Sequence, residues 1–232
     1  MKRTPENLLA LGMLFAVALV LSNVVAAKVV ATPIPFPGGT LAFPGAVFCY
    51  AITFLATDVV GEVWGRREAG AVVRWGFAAQ VLAAALLLFT GALPAADAAV
   101  QDAYGRLLGM NWVFAGASLA AYALSQSWDV FVFHRIRDRV LARHPDGHRR
   151  RWIWNNVSTM SSQLLDTVAF VGLAFGCGLG WLFDPAMRPA LFSLMLGQYL
   201  VKVVLAALDT PVFYLLTREG PCCSRSCSGS IS

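Results

Sequence analysis

Asp58 and Glu62 stand four residues apart in an otherwise apolar stretch, FLATDVVGEVWGRR, residues 54–67. On a helix that spacing places both carboxylates on one face, one turn apart. A carboxylate in hydrocarbon costs about 2.5–3.5 kcal/mol on insertion scales, so two on one face belong against a protein interior or an aqueous cavity. Glu62 also has a plainer reading: it lies just before Arg66 and Arg67, where a side chain reaches the headgroup level. Further polar sets share this character. Gln126 and Asp129 fall three apart within YALSQSWDVFVF, although an ion pair of Asp129 with Arg135 competes with a functional role. In NNVSTMSSQLLDTVAF, Asn155, Ser158, Thr159, Ser162 and Asp166 lie within about 100° of one another on a helix, with Gln163 at the margin. Ser and Thr alone would be ordinary interhelical glue, whereas Asp166 in mid-helix points to function. Gln198 and Lys202 are one turn apart, and Lys202 is a candidate partner for an intramembrane acid.

Together with Asn23 and Asn156, these residues describe a cavity lined by carboxylates and amides. A carboxylate accepts two N–H bonds from an amidine-like edge, and an Asn or Gln amide answers a carbonyl. The matching ligand is small, neutral or weakly cationic, and rich in N–H and C=O groups, as a purine-like base is. Each residue also has a structural reading. Asn23 can serve equally as an interhelical hydrogen-bonding group, and a lone Gln80 in the third apolar run reads as a packing contact.

The elements that must carry these residues are membrane spans. The chain of 232 residues is 58% hydrophobic and only 13% charged, against about 25% charged in soluble domains. The net charge of +5 falls in short clusters between apolar runs, not along a stripe, which argues against nucleic acid. The expected fold is an all-α integral membrane protein of six transmembrane helices, a single domain over residues 1–220 followed by a disordered cytoplasmic tail over 221–232. The tail holds Cys222, Cys223 and Cys227, but no pair of cysteines has the spacing of a complete zinc site. No cofactor or metal is expected. MKRTPEN leads into a spanning run without a convincing cleavage site, so no cleaved signal is expected.

In chain order, Thr4 caps and Pro5 opens the first helix, which runs to about Val30, with Lys28 snorkelling near its end. ATPIPFPGGTLAFPG cannot be a helix interior and forms an extended or hairpin connection over the mouth of the bundle. The second helix spans about Ala46–Trp64 and the third ends near Leu93. PAADAAVQDAYGRLLGM then reads as a connection. The fourth helix opens at Asn111, as its cap, and continues to about Ala142, about 45 Å, longer than the hydrocarbon slab of about 30 Å. The fifth runs from about Trp152 to Gly180, and Asp184 with Pro185 opens the sixth, which ends near Thr217.

With the amino terminus in the cytoplasm, Lys2, Arg3, Arg66, Arg67, Arg74, Arg218, Arg225 and the arginines between the fourth and fifth helices are inside. Only Arg106 and Arg188 are outside. The positive-inside rule thus places both termini in the cytoplasm.

The blocks LSNVVAAKV, FLATDVVGEVWG, AYALSQSWDVFVFHRIR, SQLLDTVAF and GQYLVKV resemble, in order, those of the queuosine precursor transporters, also called the vitamin uptake transporter family. The resemblance implies a multi-pass protein of the bacterial inner membrane that imports a 7-deazaguanine base: the cyano or aminomethyl form, or queuine. It places Asn23, Asp58, Gln126, Asp129, Gln163, Asp166 and Lys202 at the family's polar motif positions. Its partners are then the deazapurine and the bilayer, with a homo-oligomer left open. The nearest rival is a substrate-binding membrane subunit of an ATP-driven vitamin or nucleobase uptake system. Such a subunit would draw its ATPase from another polypeptide, since the chain carries no GxxxxGK[ST] loop. An intramembrane enzyme is disfavoured, because His134, His144 and His148 lie outside the membrane depth and neither HExxH nor GxSxG occurs.

Overall fold

A computed structural model describes residues 2–37, 39–143 and 151–217. The tail at 221–232 and the basic segment 144–150 lie outside the described residues. Helix α1 (Pro5–Val25) opens as its sequence dictates: Thr4 Oγ1 accepts the Asn7 N–H at 3.3 Å, and Pro5 occupies the first turn, where no N–H is required. A hairpin of β1 (Val29–Phe36) and β2 (Gly39–Pro44) leads to α2 (Ala46–Val63) and α3 (Arg66–Ala92). Then come α4 (Ala98–Leu108), α5 (Asn111–Arg143), α6 (Arg151–Val171) with a π-helical extension over Gly172–Cys177, and α7 (Arg188–Thr217). Among the described residues, six segments are long and apolar enough to cross a membrane, the fourth of them running from Ala98 through α4 into α5 as far as Trp128. Helices dominate because hydrocarbon cannot hydrogen-bond a backbone, so each span must satisfy its own.

The outer surface carries large apolar side chains such as Leu9, Val17, Leu86, Phe89 and Leu208, all exposed. In lipid these face their natural solvent. Among the described residues the interior holds two apolar clusters. Leu11, Phe15 and Leu19 pack on Ala56, Val59, Val60 and Trp64 between α1 and α2. Phe114, Ala117 and Ala121 of α5 join Phe170, Val171, Phe175, Leu191 and Leu194 of α6, its extension and α7. Tyr50 packs against both clusters.

Several boundaries differ from those expected of the sequence. Helix α1 stops at Val25, five residues short of Val30, because Val29 and Val30 pair with Pro44 and Phe43 in the hairpin. Lys28 is exposed, and its carbonyl accepts the Gly45 N–H at 2.8 Å, tying the start of the hairpin to its end. The expected connection after the third span is partly helical. Asp97 Oδ1 caps α4 by accepting the Ala99 N–H at 2.8 Å, and Tyr104 and Gln101 donate to the carbonyls of Leu87 and Gly91 near the end of α3. Asn111 begins α5, but its amide is buried and finds no partner among the described residues, so it does not cap. Asp184 turns the chain by accepting the Ala186 N–H at 2.9 Å, while α7 itself begins only at Arg188, with Pro189 in its first turn. The fifth helix gives way at Gly172 to a wider π turn ending at Cys177, short of Gly180.

In the hairpin, Val29 pairs with Pro44, Ala31 with Ala42 and Phe36 with Gly39, with a break in register between Ala31 and Pro35 where the prolines remove donors. Strand β2 is the inner one: Leu41, Phe43 and Pro44 are buried. It is fastened to α7 by Ser193, whose Oγ donates to the Thr40 carbonyl at 2.9 Å and accepts the Ala42 N–H at 3.0 Å.

Candidate functional site

The polar residues meet where α6, α7 and α2 converge. Lys202 Nζ donates to Asp166 Oδ2 at 2.6 Å; the lysine side chain is 3% exposed and the aspartate 22%. An ammonium this deeply buried needs a counter-charge, and the carboxylate supplies it. Its other neighbour is the ring of Tyr50, whose centroid lies 5.8 Å from Nζ, within cation–π range. The Tyr50 hydroxyl stands 2.7 Å from Ser118 Oγ on α5 and within reach of Ser22 on α1. A chain of polar and cation–π contacts, Asp166–Lys202–Tyr50–Ser118, therefore links α6, α7, α2 and α5. Tyr50→Phe keeps the ring beneath Lys202 but removes the hydroxyl; a stability loss of about 1 kcal/mol is expected from thermal unfolding in detergent. An unchanged midpoint would show that this link contributes nothing.

The other residues singled out in the sequence divide into four groups. Asn23 and Gln198 are buried, at 1% and 2% exposure. Asn23 Nδ2 donates to the Leu19 carbonyl at 3.2 Å, while Asn23 Oδ1 and Gln198 Oε1 have no hydrogen-bond partner among the described residues. Gln198 lies one turn from Lys202 on the same face of α7. Gln163 is half-buried on α6. Asp58, Glu62 and Gln126 are exposed. Asp58 nevertheless engages another group of the protein, and beside it Val59 and Val60 fill the seam against α1. The α2 carboxylates thus share a face that is not the packed one. The side chains of Asp129, Asn156 and Ser158, with those of Asn155 and Thr159, lie outside the described residues. Among the described residues no three His, Cys, Asp or Glu side chains converge as a metal site would require.

Tyr50 and Ser118 escaped the sequence reading. A tyrosine near the end of a span looks like an interfacial anchor, and a serine in a span looks like packing. The signal that could have found Tyr50 is Lys202 itself, which needs a second neighbour besides its acid. A separate apolar crevice of about 180 Å³ lies between the hairpin and the start of α7, lined by Val29, Phe36, Pro37, Trp181, Pro189 and Leu194 among others. Its lining includes Thr40 and Ser193 but none of Asp166, Lys202, Tyr50, Ser118, Asn23 or Gln198.

Residues 44–216 match the family described as "Putative vitamin uptake transporter". The chain belongs to the vitamin uptake transporter family. Over 180 residues it is 32% identical to the "Probable queuosine precursor transporter" of Bacillus subtilis (strain 168), a match covering 76% of this chain and 72% of that relative. Over 172 residues it is 30% identical to the "Queuosine precursor transporter" of Escherichia coli (strain K12), covering 72% and 67%. No solved structure matches the chain. The family and these relatives are named as transporters, not as enzymes. The matched region holds Tyr50, Asp58, Ser118, Asp166, Gln198 and Lys202, whereas Asn23 precedes it.

Proposed function

We propose that this member of the vitamin uptake transporter family imports a queuosine precursor across the bacterial inner membrane. Its cargo is a 7-deazaguanine base, such as 7-cyano-7-deazaguanine, its aminomethyl analogue or queuine. The observation that carries the reading is the Lys202–Asp166 pair, one turn along α7 from a Gln198 carbonyl with no partner among the described residues, inside spanning helices of a chain whose relatives are named as queuosine precursor transporters. Lys202 engages Asp166 through Oδ2, and Oδ1 is the acceptor for a substrate N–H. Asp58 on α2 is the second acceptor for ring or exocyclic N–H groups, and amide side chains donate to the ring carbonyl. With both termini in the cytoplasm, the hairpin covers the periplasmic mouth. The base enters beneath it, and movement of the helices opens the opposite side.

The test is calorimetric binding of 7-cyano-7-deazaguanine and of queuine to the purified protein in detergent, with guanine as control. Binding of either deazapurine, weakened at least tenfold in Asp58→Asn, is expected. A folded protein that binds neither would remove the substrate assignment. Uptake into liposomes holding the purified chain alone separates a self-sufficient importer from a subunit that needs an ATPase partner.

A further inference from the structure

Gln80 of α3 is 1% exposed, and both atoms of its amide, Oε1 and Nε2, lack a hydrogen-bond partner among the described residues. An amide buried without partners is costly in any apolar medium, and an amide with both ends unpaired is more costly than the half-paired Asn23. Its position follows from the helices around it. Gly12 of α1 faces Val72, and Gly76 of α3 is so close to Phe15 and Leu19 that a Cβ there would strike the Phe15 ring. The two helices therefore run parallel and in step. One turn beyond Gly76 is Gln80, and one turn beyond Leu19 is Asn23, so both amides lie on the same flank of the α1–α3 seam. On the other flank, Phe77 stacks edge-to-face on Tyr122 of α5, with ring centroids 4.7 Å apart. One turn along α3 is Gln80, and one turn back along α5 is Ser118, the residue that holds the Tyr50 hydroxyl. Helical spacing thus places Gln80 on the side of α3 toward Ser118.

We infer that Gln80 forms a second binding subsite, which recognises a lactam edge, a ring carbonyl beside a ring N–H, on a planar heterocycle. The chemistry is a count of donors and acceptors. Nε2 donates to the carbonyl, Oε1 accepts from the adjacent N–H, and the unpartnered Oδ1 of Asn23 accepts from an exocyclic amine next to them. The inference rests on the transport reading above and adds to it the side chain that selects the lactam edge.

The test uses Gln80→Met, which nearly preserves side-chain volume and removes both polar atoms, and two ligands: 7-cyano-7-deazaguanine and 2-amino-7-cyano-7-deazapurine, which lacks the ring carbonyl and its N–H. The expected result is that Gln80→Met binds the first ligand about tenfold more weakly, the loss of one or two net hydrogen bonds, and the second about as the unaltered protein does. An equal loss for both ligands, or no loss for either, would overturn the subsite while leaving the transport reading intact. Failure of the unaltered protein to bind 7-cyano-7-deazaguanine would overturn the transport reading itself, and the subsite with it. If Gln80→Met is not recovered folded, Gln80→Ala is read against the same two ligands by the same criterion.

Discussion

Lys202→Met is expected to lower stability by about 3–5 kcal/mol, the cost of stranding one member of a buried ion pair. The variant keeps the stem that packs in the core but leaves Asp166, 22% exposed, without its cation. Asp166→Leu should cost at least as much, because the stranded group is then the lysine, at 3% exposure the more buried of the two. The double variant, Lys202→Met with Asp166→Leu, should recover most of the loss, since apolar side chains of similar volume commonly replace a buried pair without penalty. Thermal unfolding in detergent measures the first effect. Uptake in cells measures the second: a double variant that is stable again but does not transport shows that the pair serves the substrate, whereas recovery of both would reduce it to a fastener between α6 and α7. Either single variant unfolding within about 1 kcal/mol of the unaltered protein would show the ion pair to be open to water.

The six spans were legible in the sequence because hydrocarbon leaves the backbone few choices, and a run of apolar residues long enough to cross must be helical. Hydropathy says little about where such a run stops. Val29 and Val30 are as apolar as the helix before them, and only their pairing with Pro44 and Phe43 shows that the chain has left α1. Asp97 and Asp184 are both cap-forming residues, yet the first opens a helix where a plain connection was expected and the second turns the chain without opening one. The capping bond is the same in both; after Asp97, Gln101 and Tyr104 tie α4 back to α3, whereas after Asp184 the helix begins only at Arg188. At the site, the charged members were visible from their rarity, and Lys202 finds an acid across the bundle in Asp166. Tyr50, Ser118 and Gln80 do not stand out in the sequence as site residues, because each is ordinary in a span by type. Their interest lies in burial and in the groups that stand opposite, which depend on helix pairing. The exposed α2 carboxylates show the converse: spacing puts Asp58 and Glu62 on one face, but the face that packs against α1 is that of Ala56, Val59 and Val60.

Gly197→Ala is expected to destabilise the protein by about 3 kcal/mol, an overpacking cost combined with lost hydrogen bonds. A Cβ at Gly197 would run into the Ala42 carbonyl oxygen, and behind it the carbonyl carbon at 2.8 Å. These are backbone atoms, so no rotamer change relieves the collision; β2 must move off α7. That movement breaks the two hydrogen bonds through which Ser193, one turn before Gly197, grips Thr40 and Ala42. Ser193→Ala separates the two contributions: it removes the bonds without the collision and should cost only about 1–2 kcal/mol. Limited proteolysis between residues 29 and 44 reads the local consequence, with cleavage accelerated in Gly197→Ala and less so in Ser193→Ala. Because the hairpin is fastened to α7, which also carries Gln198 and Lys202, a hairpin lifted from Gly197 should weaken substrate binding even though no polar site residue has changed. Unaltered stability and unaltered protease resistance in Gly197→Ala would mean that strand and helix are not in close contact, and that the hairpin moves independently of the helix bearing the lysine.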